Sequence, residues 1–231
     1  MMILHAVLMD DGSSLSLFSE LPSPMPFETV SVAGLCAIVS GAGEDSDGLF
    51  ADEKRVTDLA LRHNELLVQL AAETDLVPVR LGSLYSGVDA VRAHLITQQS
   101  RYTKLLAHLS NAIEVSIELK ASQSPEKVET SDITSGRAWL AARGAKRNAV
   151  RDMAAARMAS WSVVADAVSG LVRGHQADSR GRTQMALLVD RDRIAELERS
   201  VSLLSRQTAR HGLSVTLTGP WPAYSFVGEA A

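Results

Sequence analysis

Few features of this chain announce chemistry. It holds one cysteine among 231 residues, Cys36, inside the apolar run Gly34-Leu35-Cys36-Ala37-Ile38-Val39, so no internal disulfide framework exists and a reducing compartment suits it. A catalytic thiol needs an electropositive, partly exposed setting to lower its pKa, and this run offers none. No apolar stretch approaches the roughly 20 residues of a membrane span, and no basic leader precedes one. The net charge of −4 leaves no broad positive field for nucleic acid or an anionic membrane. Neither a membrane span nor a nucleic-acid partner is therefore expected. Motifs are equally sparse. Ser40-Gly41-Ala42-Gly43 lacks the third glycine of a dinucleotide fingerprint and the Gly-Lys-Ser/Thr ending of a P-loop, so it reads as a loop. No second His, Cys or Asp stands at helical spacing from His63 to supply a metal partner, and no cofactor is expected.

What remains, 46% hydrophobic and 22% charged residues, describes a globular chain able to bury a sizeable core. Residues Met2 to Met9 are apolar on both faces except at His5, as in a covered strand. Asp10 to Phe27, with Pro22, Pro24 and Pro26, reads as a loop, and Val32 to Val39 as one further strand. From Asp52 to Thr74 a stripe of Val56, Leu59, Leu66 and Leu70 marks a helix, with His63 in its register as a core or boundary residue. Leu76 to Tyr85 reads as a strand. Ser86 then suits a cap for a helix reaching about Leu109. Val115, Ile117 and Leu119 alternate with Glu114, Ser116 and Glu118, which predicts a strand with one wetted face.

A polar stretch with Pro125 then suggests a linker. The expected organisation is an N-terminal α+β domain over 1–121, a linker over 122–135 and a C-terminal helical and α+β domain over 136–231. Within the last, Gly136 to about Val172 predicts a long helix or a helical pair broken near Gly144. Met185 to Val189 reads as a short buried strand, Asp190 as an N-cap, and Ile194, Leu197, Val201 and Leu204 as a helix stripe. His211 and Gly212 form its stop, and Leu213, Val215 and Leu217 the next strand. A site assembled from distant residues such as His5, His63, Asp75 or Arg80 stays open.

The segment Leu217-Thr218-Gly219-Pro220-Trp221-Pro222-Ala223-Tyr224-Ser225-Phe226-Val227 resembles the carboxy-terminal signature of the gas-vesicle protein F/L family. Pro78-Val79-Arg80-Leu81-Gly82-Ser83-Leu84-Tyr85, Glu114-Val115-Ser116-Ile117 and Gly136-Arg137-Ala138-Trp139-Leu140 resemble further pieces of it in the same order. The sequence departs from the family at Ala223, where a second proline is usual, and near Leu81, where phenylalanine is. The resemblance implies a two-domain α+β protein with a ferredoxin-like element and a long helical portion. It implies a non-enzymatic accessory role in gas-vesicle assembly, with the shell subunit and other assembly proteins as partners, in the cytoplasm or at the vesicle. An alternative is a minor structural component on the gas-facing surface; a small-molecule or nucleotide-binding enzyme is a third reading. The signature positions, structural or partner-binding, are Pro78, Arg80, Gly82, Glu114, Gly136, Trp139, Gly219, Pro220, Trp221, Pro222, Tyr224 and Phe226. Gly219 permits a tight bend, Pro220 and Pro222 fix two φ angles, and Trp221, Tyr224 and Phe226 offer large apolar surfaces.

Overall fold

The computed structural model describes residues 1–12, 23–43, 52–121, 135–177, 183–210 and 212–228. The chain is α+β and divides into two compact units, one formed by 1–115 with 219–231 and the other by 116–218. This differs from a division at 122–135. The boundaries fall after 115 and after 218, within strands rather than in a polar connection. Of the expected linker, residues 122–134 lie outside the described set, as does His211.

In the first unit β1 (Met2–Met9) is buried from Ile3 to Leu8, as an apolar strand covered on both faces must be. It pairs antiparallel with β3 (Leu35–Gly41), which pairs with β2 (Glu28–Val32). The single strand expected over Val32 to Val39 is instead the end of a hairpin. Ala33 and Gly34 have φ of 56° and 77°, the two positive angles that a type I′ turn requires. The strand expected over Leu76 to Tyr85 is likewise interrupted, into β4 (Val77–Pro78) and β5 (Leu84–Tyr85), both paired with β1. Gly82, at φ 104°, lies in the turn between them. Pro78 sits in an outer strand, and the Val79 amide donates to the His5 carbonyl at 2.9 Å, so the amide that proline lacks is not missed.

Helix α1 (Glu53–Glu73) starts at Asp52, whose carboxylate accepts from the Lys54 and Arg55 amides at 2.9 and 3.4 Å. It lays Leu66, Leu67 and Leu70 against Ala6, Leu8, Cys36 and Ile38 of the sheet. Each fully buried leucine contributes about 1.5–3 kcal/mol, so this stripe is a main source of stability in the unit. Helix α2 (Val88–Leu109) buries Val91, Leu95, Tyr102, Leu106 and Leu109. Its N-cap is Gly87 with no side-chain capping bond, not the expected Ser86.

The second unit is built on the sheet order β7-β8-β6-β9, from β6 (Ala112–Ala121), which begins in the first unit, β7 (Gly174–Ala177), β8 (Gln184–Asp190) and β9 (Leu213–Trp221), which ends in it. β7 was not expected from the sequence, because His175 and Gln176 give it no apolar period. Helix α3 (Gly136–Val168) is unbroken at Gly144. Helix α4 (Ile194–Ala209) follows a 3₁₀ turn over Arg191–Arg193 and buries Leu197, Val201 and Leu204. Asp190 makes no capping bond; its carboxylate pairs with Arg173 instead. Among the described residues no helix is long and apolar enough to cross a membrane.

Candidate functional site

The polar groups buried in the first unit fall into two constellations, both closed by the segment after β9. The first contains His5 and His63, 0% and 4% exposed. A histidine at position 5 of a strand covered on both faces must find partners, because a buried ring nitrogen left unbonded costs about 1–3 kcal/mol. His5 Nε2 lies 2.8 Å from Ser40 Oγ, and its Nδ1 lies 2.7 Å from Nδ1 of His63. His63 Nε2 lies 2.8 Å from the Tyr224 hydroxyl, which donates to the Val79 carbonyl at 3.3 Å.

The last bond sets a consistent direction for the protons of the series. With its proton on Val79, Tyr224 accepts from His63 Nε2–H. His63 Nδ1 is then a lone pair that accepts from His5 Nδ1–H, and His5 Nε2 accepts from Ser40 Oγ–H. Both rings are neutral, and each buried donor has an acceptor. The electrostatics agree: burial pushes His5 down to about 3, with the neighbouring His63 lowering it further, and burial pushes His63 down to about 4 against the opposing pull of the Val79 carbonyl. Burial also raises the Tyr224 hydroxyl.

Ser40, His5 and His63 superficially resemble a nucleophile, a base and an orienting group, and Ser40 borders a cleft of about 610 Å³ shared with Met25, Phe27, Leu59 and Arg62. The chemistry opposes that use. A base held near 3 has little affinity for a serine proton at neutral pH, and Ser40 is itself only 3% exposed. The arrangement fastens helix, strand and tail together. Of the other residues considered for a composite site, Asp75 accepts from the Asn111 amide at 2.9 Å and Arg80 is exposed.

The second constellation is Glu114. The period-two pattern put it on a wetted face; it is 7% exposed. Its two carboxylate oxygens accept from the Ser225 amide and the Ser225 hydroxyl, both at 2.8 Å. Burial raises its pKa, opposed by those two bonds. Gly219 explains the approach of the tail to β6. At φ 119° it occupies backbone space that side chains avoid, and an added Cβ would lie 3.2 Å from the Glu114 carbonyl and 3.1 Å from Trp221 Cδ1.

The signature positions thus separate. Glu114, Gly219 and Trp221 meet around β6, while Tyr224 joins His5, His63 and the carbonyl next to Pro78. Pro222, Ala223 and Val227 are buried, Phe226 is half-buried, and Pro220 and Trp221 are exposed, Trp221 to 39%. Arg80 and Gly82 lie in the exposed turn before β5, where Ser83 Oγ donates to the Arg80 carbonyl at 3.1 Å. Gly136 and Trp139 are exposed at the start of α3, in the second unit. Sequence reasoning did not single out Ser40 or Ser225. The available signal for the first was His5 itself, a lone polar residue in a doubly covered strand. Among the described residues no group of three or more His, Cys, Asp or Glu is placed to hold a metal ion.

Such a molecule is a two-unit α+β protein whose buried histidines are joined to each other and whose segment after β9 is fastened to the core of the first unit. The model of the gas vesicle synthesis protein GvpL/GvpF family matches residues 6–228, and the chain belongs to that family. It is 27% identical over 224 residues to gas vesicle protein F of Streptomyces sp. (strain CB03234), covering 88% of this chain and 89% of that one. Its fold is similar to the crystal structure of GvpF from Anabaena sp. PCC7120, with a TM-score of 0.67 at 13% identity over 100% of this chain and 97% of the other. GvpF from Microcystis aeruginosa gives 0.64 at 15% identity, over 98% of each chain.

Proposed function

We propose that this chain is a non-enzymatic accessory factor of gas-vesicle assembly that docks the vesicle shell subunit or other assembly proteins and keeps exposed apolar polypeptide from aggregating before the shell nucleates. The observation that carries the reading is the placement of polar and apolar groups. Inside, the histidines and Glu114 are engaged in bonds that hold the fold. Outside, large apolar side chains stand in solvent on both units: Leu61 at 66% and Ile96 at 57% exposed in the first, Leu140 at 64% and Leu203 at 60% with Trp139 at 41% in the second. Such surface suits docking another chain rather than turning over a small molecule. Membership in the family supplies the vesicle context.

The test is co-expression of the shell subunit with and without this chain, followed by measurement of soluble shell protein and of co-purification. Raised solubility together with a complex supports the proposal; equal solubility and no complex overturns it. Washing purified vesicles with denaturant and probing for this chain separates an assembly factor that leaves from a component that stays.

A further inference from the structure

Helix α3 differs from the other helices in its balance of charge. In α1, Asp58 pairs with Arg62 at 3.0 Å; in α2, Asp89 lies 3.9 Å from Arg92; at the start of α4, Glu196 lies 3.3 Å from Arg193. Those are the i,i+3 and i,i+4 pairs of ordinary solvated helix faces. Residues 136–159 of α3 hold six of the chain's 23 lysines and arginines against one of its 27 acidic residues, a charge of +5 in a chain of −4. Over that stretch none of the described side chains is buried; the first that is buried is Ser160.

The cations are also aligned. Trp139, Arg143, Arg147 and Arg151 recur every fourth residue, and that spacing puts them on one helical face over about 18 Å, with Leu140 beside them. Trp139, Leu140 and the three arginines are all exposed. Arg143 stacks its guanidinium 5.0 Å from the centre of the Trp139 ring, which holds the head of the row in place. Among the described residues no acidic side chain pairs with Arg143 or Arg147. Like charges four residues apart repel along a helix, so Arg143 and Arg147 weaken their own turn of α3 unless something anionic lies against them.

We infer that this row is a docking face for an acidic segment of another protein, one that carries carboxylates at matching helical spacing and an apolar side chain to cover Trp139 and Leu140. The inference rests on the reading that the chain works by docking a polypeptide, and names the chemistry of what it docks. Charge complementarity selects an anionic occupant. The apolar residues at the head of the row, together with a remainder of the chain that is net −9, select a short protein segment over an extended polyanion, which the rest of the molecule repels.

The experiment uses the full chain and two labelled helical peptides of equal composition, one with glutamates at every fourth position beside a leucine, the other scrambled. Fluorescence anisotropy at near-physiological salt should show tighter binding of the aligned peptide by about tenfold, lost in R143E/R147E and partly lost in R143Q/R147Q, as a few partly exposed ion pairs allow. Circular dichroism of each variant verifies that the helices remain. Equal binding of the two peptides, unchanged binding by R143E/R147E, or binding of single-stranded RNA or phosphatidylserine vesicles as tight as the aligned peptide would each overturn the inference. The shell-solubility assay keeps the two readings apart. Peptide discrimination without any effect on shell protein removes the assembly role and leaves the docking face, whereas the reverse removes the face alone.

Discussion

Lowering the pH from 7 to 5 should destabilise this protein through two residues. His5 and His63 are held at about 3 and about 4 in the folded chain, against 6.5 for a histidine in the unfolded one. Because both folded values are depressed, the unfolded state binds protons that the native state refuses. Stability is therefore complete above about 6.5 and falls as pH drops from there toward the folded values. Linkage makes the loss about 2 kcal/mol per ring at pH 5, or about 4 kcal/mol together, which for a chain of this size lowers Tm by roughly 10 °C. Geometry gives the same sign, since two protonated rings would point Nδ1–H against Nδ1–H across 2.7 Å. Glu114 acts in the opposite direction, because its raised pKa lets the folded state accept a proton earlier than the unfolded chain, so the observed fall is a net one. The measurement is thermal unfolding by circular dichroism at pH 7.5, 6 and 5 and constant ionic strength, for the wild type and His63→Gln. Glutamine retains a donor for the Tyr224 oxygen but cannot titrate, so the variant should show about half the pH dependence. Equal slopes for the two proteins would refute the argument.

Nitrogen-15 spectra of the imidazoles at pH 5.5 should show two neutral rings, His5 as the Nδ1–H tautomer and His63 as the Nε2–H tautomer, with no titration above pH 5. Tyr224→Phe deprives the buried His63 donor of its acceptor and should cost about 1–3 kcal/mol, read as a lower denaturation midpoint at unchanged m. Glu114→Leu leaves the Ser225 amide and hydroxyl without their acceptor and should cost more than Glu114→Gln, which retains an acceptor oxygen; urea titration of the pair verifies the order. Gly219→Ala places a methyl 3.1 Å from Trp221 and 3.2 Å from a backbone carbonyl at a φ that alanine avoids, so it should destabilise by about 2 kcal/mol or more and raise proteolysis of the tail.

The helices were the legible part of the fold. Their stripes of Leu66 and Leu70, Val91 and Leu95, and Leu197 and Val201 read correctly because a 3.6-residue period reports a local geometry. The strands were less so. The hairpin at Ala33-Gly34 is hidden inside an apolar run, and its only local mark is a glycine that also suits the middle of a loop. β4 and β5 look like one strand because Pro78 and Gly82 are equally compatible with a strand end and with a turn between two strands. Ser86 and Asp190 have the right chemistry for caps, yet the backbone does not bring their side chains to the orphan amides.

Glu114 shows why the site was harder still. Alternation with Val115, Ile117 and Leu119 says only that one face of β6 is more apolar than the other; it cannot say that a tail more than a hundred residues later covers the second face. Once Ser225 lies there, the carboxylate becomes the acceptor that satisfies two buried donors, and moving it to water would strand both. His5 and His63 repeat the lesson, since each alone reads as an ordinary core histidine and only the register of α1 against β1 makes them a pair. The same reasoning separates the roles of the motifs that resemble the family. Glu114, Gly219 and Tyr224 are constrained by atoms within their own unit, at distances that a single methyl or a missing oxygen would upset. Trp139 at the head of α3 is placed differently: it is exposed, stacked by Arg143, and followed one turn further on by the like charge of Arg147. The tail is explained by what lies beneath it, whereas the exposed Trp139 is the residue that an occupant of the proposed docking face would cover.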